Sequence, residues 1–99
     1  MARFDVYANP AGSGYLLDVQ ADLLDGLNTR VVVPLLPAES APKPARRLNP
    51  VFAVKGAPYV MATQFLAAVP VAILKFPIAS LVDQETDIGN ALDMLFVGF

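Results

Sequence analysis

Phe4-Asp5-Val6-Tyr7-Ala8-Asn9-Pro10-Ala11-Gly12-Ser13-Gly14-Tyr15-Leu16-Leu17-Asp18-Val19-Gln20 is the stretch whose reading decides the fold. Phe4 to Tyr7 alternates apolar and polar residues, Asn9 to Gly14 is a cluster of turn formers, and Tyr15 to Gln20 supplies a returning strand. The chain therefore opens with a β-hairpin. After the turn residues Asp25 and Gly26, the run Arg30-Val31-Val32-Val33-Pro34-Leu35 reads as a further strand, with Pro34 predicting a sheet edge or a bulge. Val51-Phe52-Ala53-Val54, the turn Lys55-Gly56-Ala57-Pro58 and Tyr59-Val60-Met61-Ala62 predict a second hairpin. A turn or short helix is expected near Gln64 to Ala68, and Val71 to Leu74 reads as the last short strand. The architecture expected is a small, mostly β domain closed by one helix.

That helix is predicted from Ile88, Ala91, Leu92, Leu95, Phe96 and Phe99, whose spacing forms one helical stripe bound for a core. Thr86 fits its N-cap, with Asp87 favourably placed in the first turn. Gly98 fits the left-handed position that closes a helix. The opposite face carries Asn90, Asp93, Met94 and Val97, so it begins polar and turns apolar in the last turn, where lysine or arginine is usual. Exposed apolar side chains at that end predict a partner there.

The 99 residues fit one domain, 1–99, which at this size buries about two-thirds of the surface of its unfolded chain. Hydrophobic residues make up 56% and charged residues 16%, against about a quarter charged in an average soluble domain. Such an apolar surplus predicts a subunit interface, and a two-fold homodimer is the commonest form. The net charge of −2 argues against direct binding to nucleic acid, which needs clustered Lys and Arg. Neither Cys nor His is present, so thiolate chemistry, zinc sites built on those residues and the usual neutral-pH acid/base catalyst are excluded. Met1 to Tyr7 has no apolar core of a signal peptide, which predicts a cytoplasmic protein. Gly56 to Leu74 is uncharged, but Pro58 and Pro70 interrupt it, and the proline-free piece from Tyr59 to Val69 would reach only about half of a bilayer core as a helix. No membrane association is expected. Pro37, Pro42 and Pro44 forbid a regular helix from Pro37 to Arg47, so Lys43, Arg46 and Arg47 are read as cations on an exposed, extended loop.

Asp18, Asp22 and Asp25 are read as solvated surface or turn aspartates, since nothing in the sequence completes a catalytic site around them. Arg30 is read as a structural salt-bridge partner. Leu23 and Leu24, flanked by Asp22 and Asp25, are read as an exposed apolar spot. Residue chemistry thus favours a binding protein over an enzyme, without metal or cofactor.

Four segments, Leu17 to Asp25, Arg30 to Leu35, Ala68-Val69-Pro70-Val71 and Asp87 to Phe99, occur in an order and spacing that resemble the CcdB family, the toxins of ccd toxin–antitoxin systems. The resemblance spans essentially the whole chain. It implies a β-barrel of the Src-homology type with an inserted sheet and a C-terminal α-helix, shared with the Kid and MazF toxins and assembled as a two-fold dimer. It also implies a non-enzymatic toxin that lodges on the A subunit of DNA gyrase, traps the cleaved-DNA complex and is neutralised by a CcdA-like antitoxin. The residues matching the gyrase-binding surface are Asp93, Val97, Gly98, Phe99, Leu23 and Leu24. Those matching the antitoxin-binding surface are Phe4, Tyr7, Asp18, Gln20, Ala21, Leu23, Leu24, Asp93 and Phe99. The chain departs from the family at Val97, where a Trp is typical. Two other readings are carried beside this one: an endoribonuclease of the MazF/Kid type, and a non-poisoning member that mainly sequesters antitoxin.

Overall fold

The structure is a computed structural model, and residues 2–98 are described. The first hairpin forms as its alternation predicts. Strand β1 (Asp5–Ala8) pairs antiparallel with β2 (Tyr15–Asp18), with Val6 opposite Leu17 and Ala8 opposite Tyr15. The connecting turn is held by Asn9, whose N–H donates to the Gly14 carbonyl at 3.3 Å and whose side-chain oxygen accepts from the Ala11 N–H at 2.9 Å. Gly14 is required twice over. Its φ is +97°, and a Cβ there would collide with the Leu35 carbonyl oxygen.

Strand β3 (Thr29–Pro37) is the longest and runs through the middle of the sheet. One side of it pairs with β2 from Asp18↔Val32 to Tyr15↔Leu35. Its other side changes partner: β6 (Ala67–Pro70) covers Thr29 to Val32, and β5 (Ala57–Met61) covers Leu35 to Pro37. The expectation that Pro34 marks an edge or a bulge is therefore corrected. Pro34 sits in a central strand, in the gap where one partner gives way to the next. Its carbonyl accepts from the Ala62 N–H at 2.9 Å. Since a strand residue directs N and C=O to the same side, the N–H that proline lacks would have faced this gap, and no ladder bond is lost.

The second hairpin joins β4 (Val51–Val54) to β5 through Lys55 and Gly56 alone. Both have positive φ, +53° and +81°, the pattern of a two-residue type I′ turn. Ala57 and Pro58, expected in the turn, thus belong to the strand. Val71–Ile73 is a 3-10 turn rather than the predicted strand, because the preceding Ala67–Pro70 takes the place beside β3 and the Val71 N–H is captured by the Asn28 carbonyl at 3.0 Å. The turn or short helix expected near Gln64 to Ala68 is present only in its first part, as the 3-10 turn Thr63–Phe65, since Ala67 and Ala68 belong to strand β6. A two-residue strand, β7 (Ala79–Ser80), adds to β1 at the sheet edge. The strand order is β4-β5-β3-β2-β1-β7 with β6 beside β3, a nearly closed, barrel-like sheet.

One helix, α1 (Glu85–Phe96), completes the fold. It follows a 3-10 turn, Val82–Gln84, so Thr86 lies inside the first turn and is not the N-cap predicted for it. Gln84 occupies that position and makes no side-chain cap. Glu85 and Asp87 instead face the positive end of the helix dipole. Ile88 and Ala91 are wholly buried against the core formed by Phe4, Val6, Leu17, Val33, Leu35 and Met61. Burial of Ile88 alone is worth about 1.5–3 kcal/mol. The predicted stripe does not stay covered: Leu92 and Leu95 are half-buried, and Phe96 is 69% exposed. Among the described residues no helix is long and apolar enough to cross a membrane.

Candidate functional site

The end of α1 is built from backbone hydrogen bonds. The N–H groups of Val97 and Gly98 both donate to the Asp93 carbonyl, at 2.7 and 3.1 Å. Gly98 adopts φ +91°, as the sequence predicts for the residue that closes the helix. A Cβ at Gly98 would meet nothing within 4 Å, so glycine is set here by backbone conformation and not by crowding. This closure leaves Val97 61% exposed beside Phe96, with Met94 and Leu95 half-buried and Asp93 exposed. Phe99 lies outside the described residues.

Phe96 is the residue that reading the sequence misses at this end. Its spacing assigns it to the core stripe with Ile88 and Leu92. Yet its ring is left 69% exposed, which the helical pattern does not encode.

A second exposed surface is the loop after β2. Asp22–Leu24 forms a 3-10 turn with none of its residues buried. Leu23 is 94% exposed, and Leu24 and Leu27 are each about half exposed. The turn closes through Leu24 N–H to Ala21 O at 3.0 Å and Asp25 N–H to Asp22 O at 3.1 Å.

Beneath this loop lies an ion-pair network that corrects the reading of Asp18 as a solvated aspartate. Asp18 and Arg30 both have fully buried side chains. The Arg30 Nε and Nη2 atoms donate to Asp18 Oδ2 at 2.9 and 2.5 Å, so the salt bridge expected of Arg30 is present. Arg30 Nη1 donates to Asp25 Oδ1 at 3.3 Å, and Nη2 lies 3.8 Å from Asp22 Oδ1. Asp22 and Asp25 remain largely exposed, as expected. Burial pushes the Asp18 carboxyl above its usual range, opposed by the Arg30 guanidinium and the Gln20 N–H. The alternation of β2 explains the depth. Leu16 and Asp18 share a face, and the strand neighbours on that face include Tyr7 and Val32, which form a second apolar cluster with Leu16 and Leu74.

The remaining residues of the implied antitoxin surface divide by depth. Ala21 is exposed. Phe4 and Tyr7 are interior, and Gln20 is buried with its amide spanning the loop. Phe4 holds φ +75°, an unusual conformation for a bulky residue, with its N–H on the Asp18 carbonyl at 2.6 Å and the Arg3 guanidinium 4.6 Å over its ring. The Tyr7 hydroxyl is buried without a hydrogen-bond partner, and burial together with Asp5 and Asp18 pushes its pKa up.

Chemically, these surfaces offer apolar side chains and carboxylates. Among the described residues no group of three or more His, Cys, Asp or Glu is placed to hold a metal ion. The family model described as CcdB protein matches residues 3–98, nearly the whole chain. The four sequence segments, the barrel-like sheet and the C-terminal helix agree with that match, and the chain belongs to the CcdB family, the toxins of toxin–antitoxin systems.

Proposed function

We propose that the protein is a cytoplasmic homodimeric toxin that binds the A subunit of DNA gyrase, traps the cleaved-DNA complex without catalysis of its own, and is neutralised by a CcdA-like antitoxin. The observation that carries this reading is the uncovered helix end, where Phe96 and Val97 stand 69% and 61% exposed beside the Gly98 closure. Two adjacent apolar side chains left in water at an element's end suit capture by a protein groove. Leu23, Leu24 and Asp93 complete the proposed gyrase contact together with Phe99. Ala21, Leu23 and Leu24 supply exposed antitoxin contacts, with Phe4, Tyr7, Asp18 and Gln20 shaping that surface from beneath. The net charge of −2 suits a toxin that reaches cleaved DNA through gyrase rather than by gripping phosphates itself.

Val97 supports a second reading. A Trp at this position can stack on an arginine, a contact worth roughly 0.5–2 kcal/mol, and Val cannot. A member that retains antitoxin binding but has lost poisoning would carry this change.

Supercoiling and DNA-cleavage assays with purified gyrase test the first reading. The protein should stabilise cleaved DNA, and Gly98→Arg, which places a bulky cation at the helix end, should abolish the effect with the fold retained. A parent that leaves gyrase untouched yet binds a CcdA-like antitoxin peptide would move the second reading to first place. Sedimentation of the free protein as a monomer at micromolar concentration would remove the homodimer.

A further inference from the structure

We propose that Arg30 is a positioning residue: its buried guanidinium holds the Ala21–Leu27 loop to the sheet and so fixes how Leu23 and Leu24 are presented to a partner. The partner half of this inference rests on the reading given above. The loop half does not.

No residue of the turn Asp22–Leu24 is buried, and Leu24 and Leu27 are only about half covered, so the loop has no fully buried apolar anchor. Its ties to the rest of the molecule are polar: the Arg3 N–H donates to Asp22 Oδ1 at 2.7 Å, and the others come from two side chains. Arg30 reaches Asp25 Oδ1 at 3.3 Å with Nη1, the Gln20 carbonyl at 3.5 Å with Nη2, and stands 3.8 Å from Asp22 Oδ1. The Gln20 amide donates to the Leu24 carbonyl at 3.2 Å and the Thr29 carbonyl at 3.3 Å, and accepts from the Val31 N–H at 3.1 Å. The two carboxylates that face Arg30 bracket Leu23 and Leu24 in sequence: Arg30 holds the Asp25 end by a hydrogen bond, and at the Asp22 end its charge adds to the bond from the Arg3 N–H.

An ordinary surface ion pair would be a weak tether, because both side chains lose freedom on pairing and solvent screens the charge. Here the cation is already immobilised. Asp18, itself on β2 opposite Val32, fixes the guanidinium through Nε and Nη2. Only the two exposed aspartates are ordered by the contact. The planar fork matters as well, since it engages Asp18 along one edge while its remaining N–H groups point at the loop. A lysine ammonium has three donors on a flexible stem and cannot face Asp18 and both loop carboxylates in one fixed plane.

The test compares Arg30→Lys with the parent by amide hydrogen exchange and by affinity for a gyrase A-subunit fragment. The variant keeps the buried charge beside Asp18. Exchange at the Leu24, Asp25 and Leu27 amides, the three that close the loop, should accelerate about tenfold or more, while the strand amides of Leu17 and Val33 keep their protection. Affinity should fall about tenfold, and the fall should vanish when Leu23 and Leu24 are already alanine, as a double-mutant cycle requires of a residue acting through that pair. Unchanged exchange in the loop overturns the proposal, and so does an affinity loss that persists in full without the two leucines. Should Arg30→Lys not fold, Asp25→Ala removes the acceptor of one tie and leaves the buried pair intact, with faster exchange at residue 25 and Leu27 as the expected result and unchanged exchange as the refuting one. If the parent binds no gyrase, the functional reading fails by itself, and the exchange measurement still decides whether Arg30 holds the loop.

Discussion

Phe96→Ala separates two roles for one ring. The helical stripe assigns Phe96 to the core, where truncation of a phenylalanine costs about 3–5 kcal/mol. The structure leaves it 69% exposed. A fully enclosed aromatic side chain buries about 150–250 Å², so roughly a third of that, ~50–80 Å², is covered here, worth ~1–2 kcal/mol at about 25 cal/mol per Å². As an upper estimate this predicts a fall in Tm of about 5–15 °C, where a core phenylalanine would cost roughly twice as much or more. The exposed remainder, ~100–170 Å², is worth at most ~2.5–4 kcal/mol to a partner that encloses it, and half of that coverage weakens Kd by about ten- to thirtyfold on truncation. Thermal unfolding gives the first quantity, and calorimetric titration of the gyrase A fragment gives the second. A stability loss above about 3 kcal/mol in the monomer would show the ring to be interior, and an unchanged Kd in a parent that binds would remove it from the contact surface. A loss of stability that grows on dilution would assign the ring to the homodimer interface instead.

Two further predictions concern single positions. Val97→Trp should strengthen gyrase binding by about three- to thirtyfold through arginine stacking, with the unfolding midpoint nearly unchanged because Val97 is 61% exposed; unaltered affinity in a binding parent would show that another residue makes that contact. For Asp18, the folded pKa is raised above the ordinary 3.8, so between those two values the folded chain holds its proton more tightly than the unfolded chain does. The contribution of this carboxyl to stability is therefore present below pH 3.8, declines as pH rises through the raised folded pKa and is level above it; Asp18→Asn should flatten that part of the pH–stability curve, and an unchanged slope refutes the assignment.

What the sequence made legible was local. The two hairpins follow from alternation next to turn residues, and the Gly98 closure follows from the need for a left-handed residue after the last helical turn. Apart from the helix cap and the length of the second turn, the departures are non-local. Pro34 is tolerated in a central strand only because β6 ends and β5 begins across from it, an arrangement set by residues more than twenty positions away. The apolar run from Ala67 to Leu74 has its β-branched residues mostly in its second half and Ala and Pro in its first, yet pairing with β3, not propensity, makes the first half strand and the second half a turn. Asp18 carried a signal that could have been read. It shares a face with Leu16 in a run, Leu16 to Val19, that is apolar on both faces, so an acid there faces a covered layer and needs a buried cation, and Arg30 before the valine run is the one on the next strand.

The two candidate surfaces are constructed by the same principle from different materials. At the helix end, the conformation is set by two N–H groups on the Asp93 carbonyl and by the left-handed Gly98. In the loop after β2, it is set by Arg30 and Gln20 from beneath and by the Arg3 N–H on Asp22. In both places polar or backbone contacts hold the main chain, so Leu23 and Val97 contribute little to the chain's own stability and Phe96 contributes less than a core phenylalanine would. An apolar side chain with no folding role is tolerated at a cost in solubility, and covering it is the remaining source of free energy. The apolar excess of the composition is thus spent in part outside the core, on rigid supports that keep it in place for another surface.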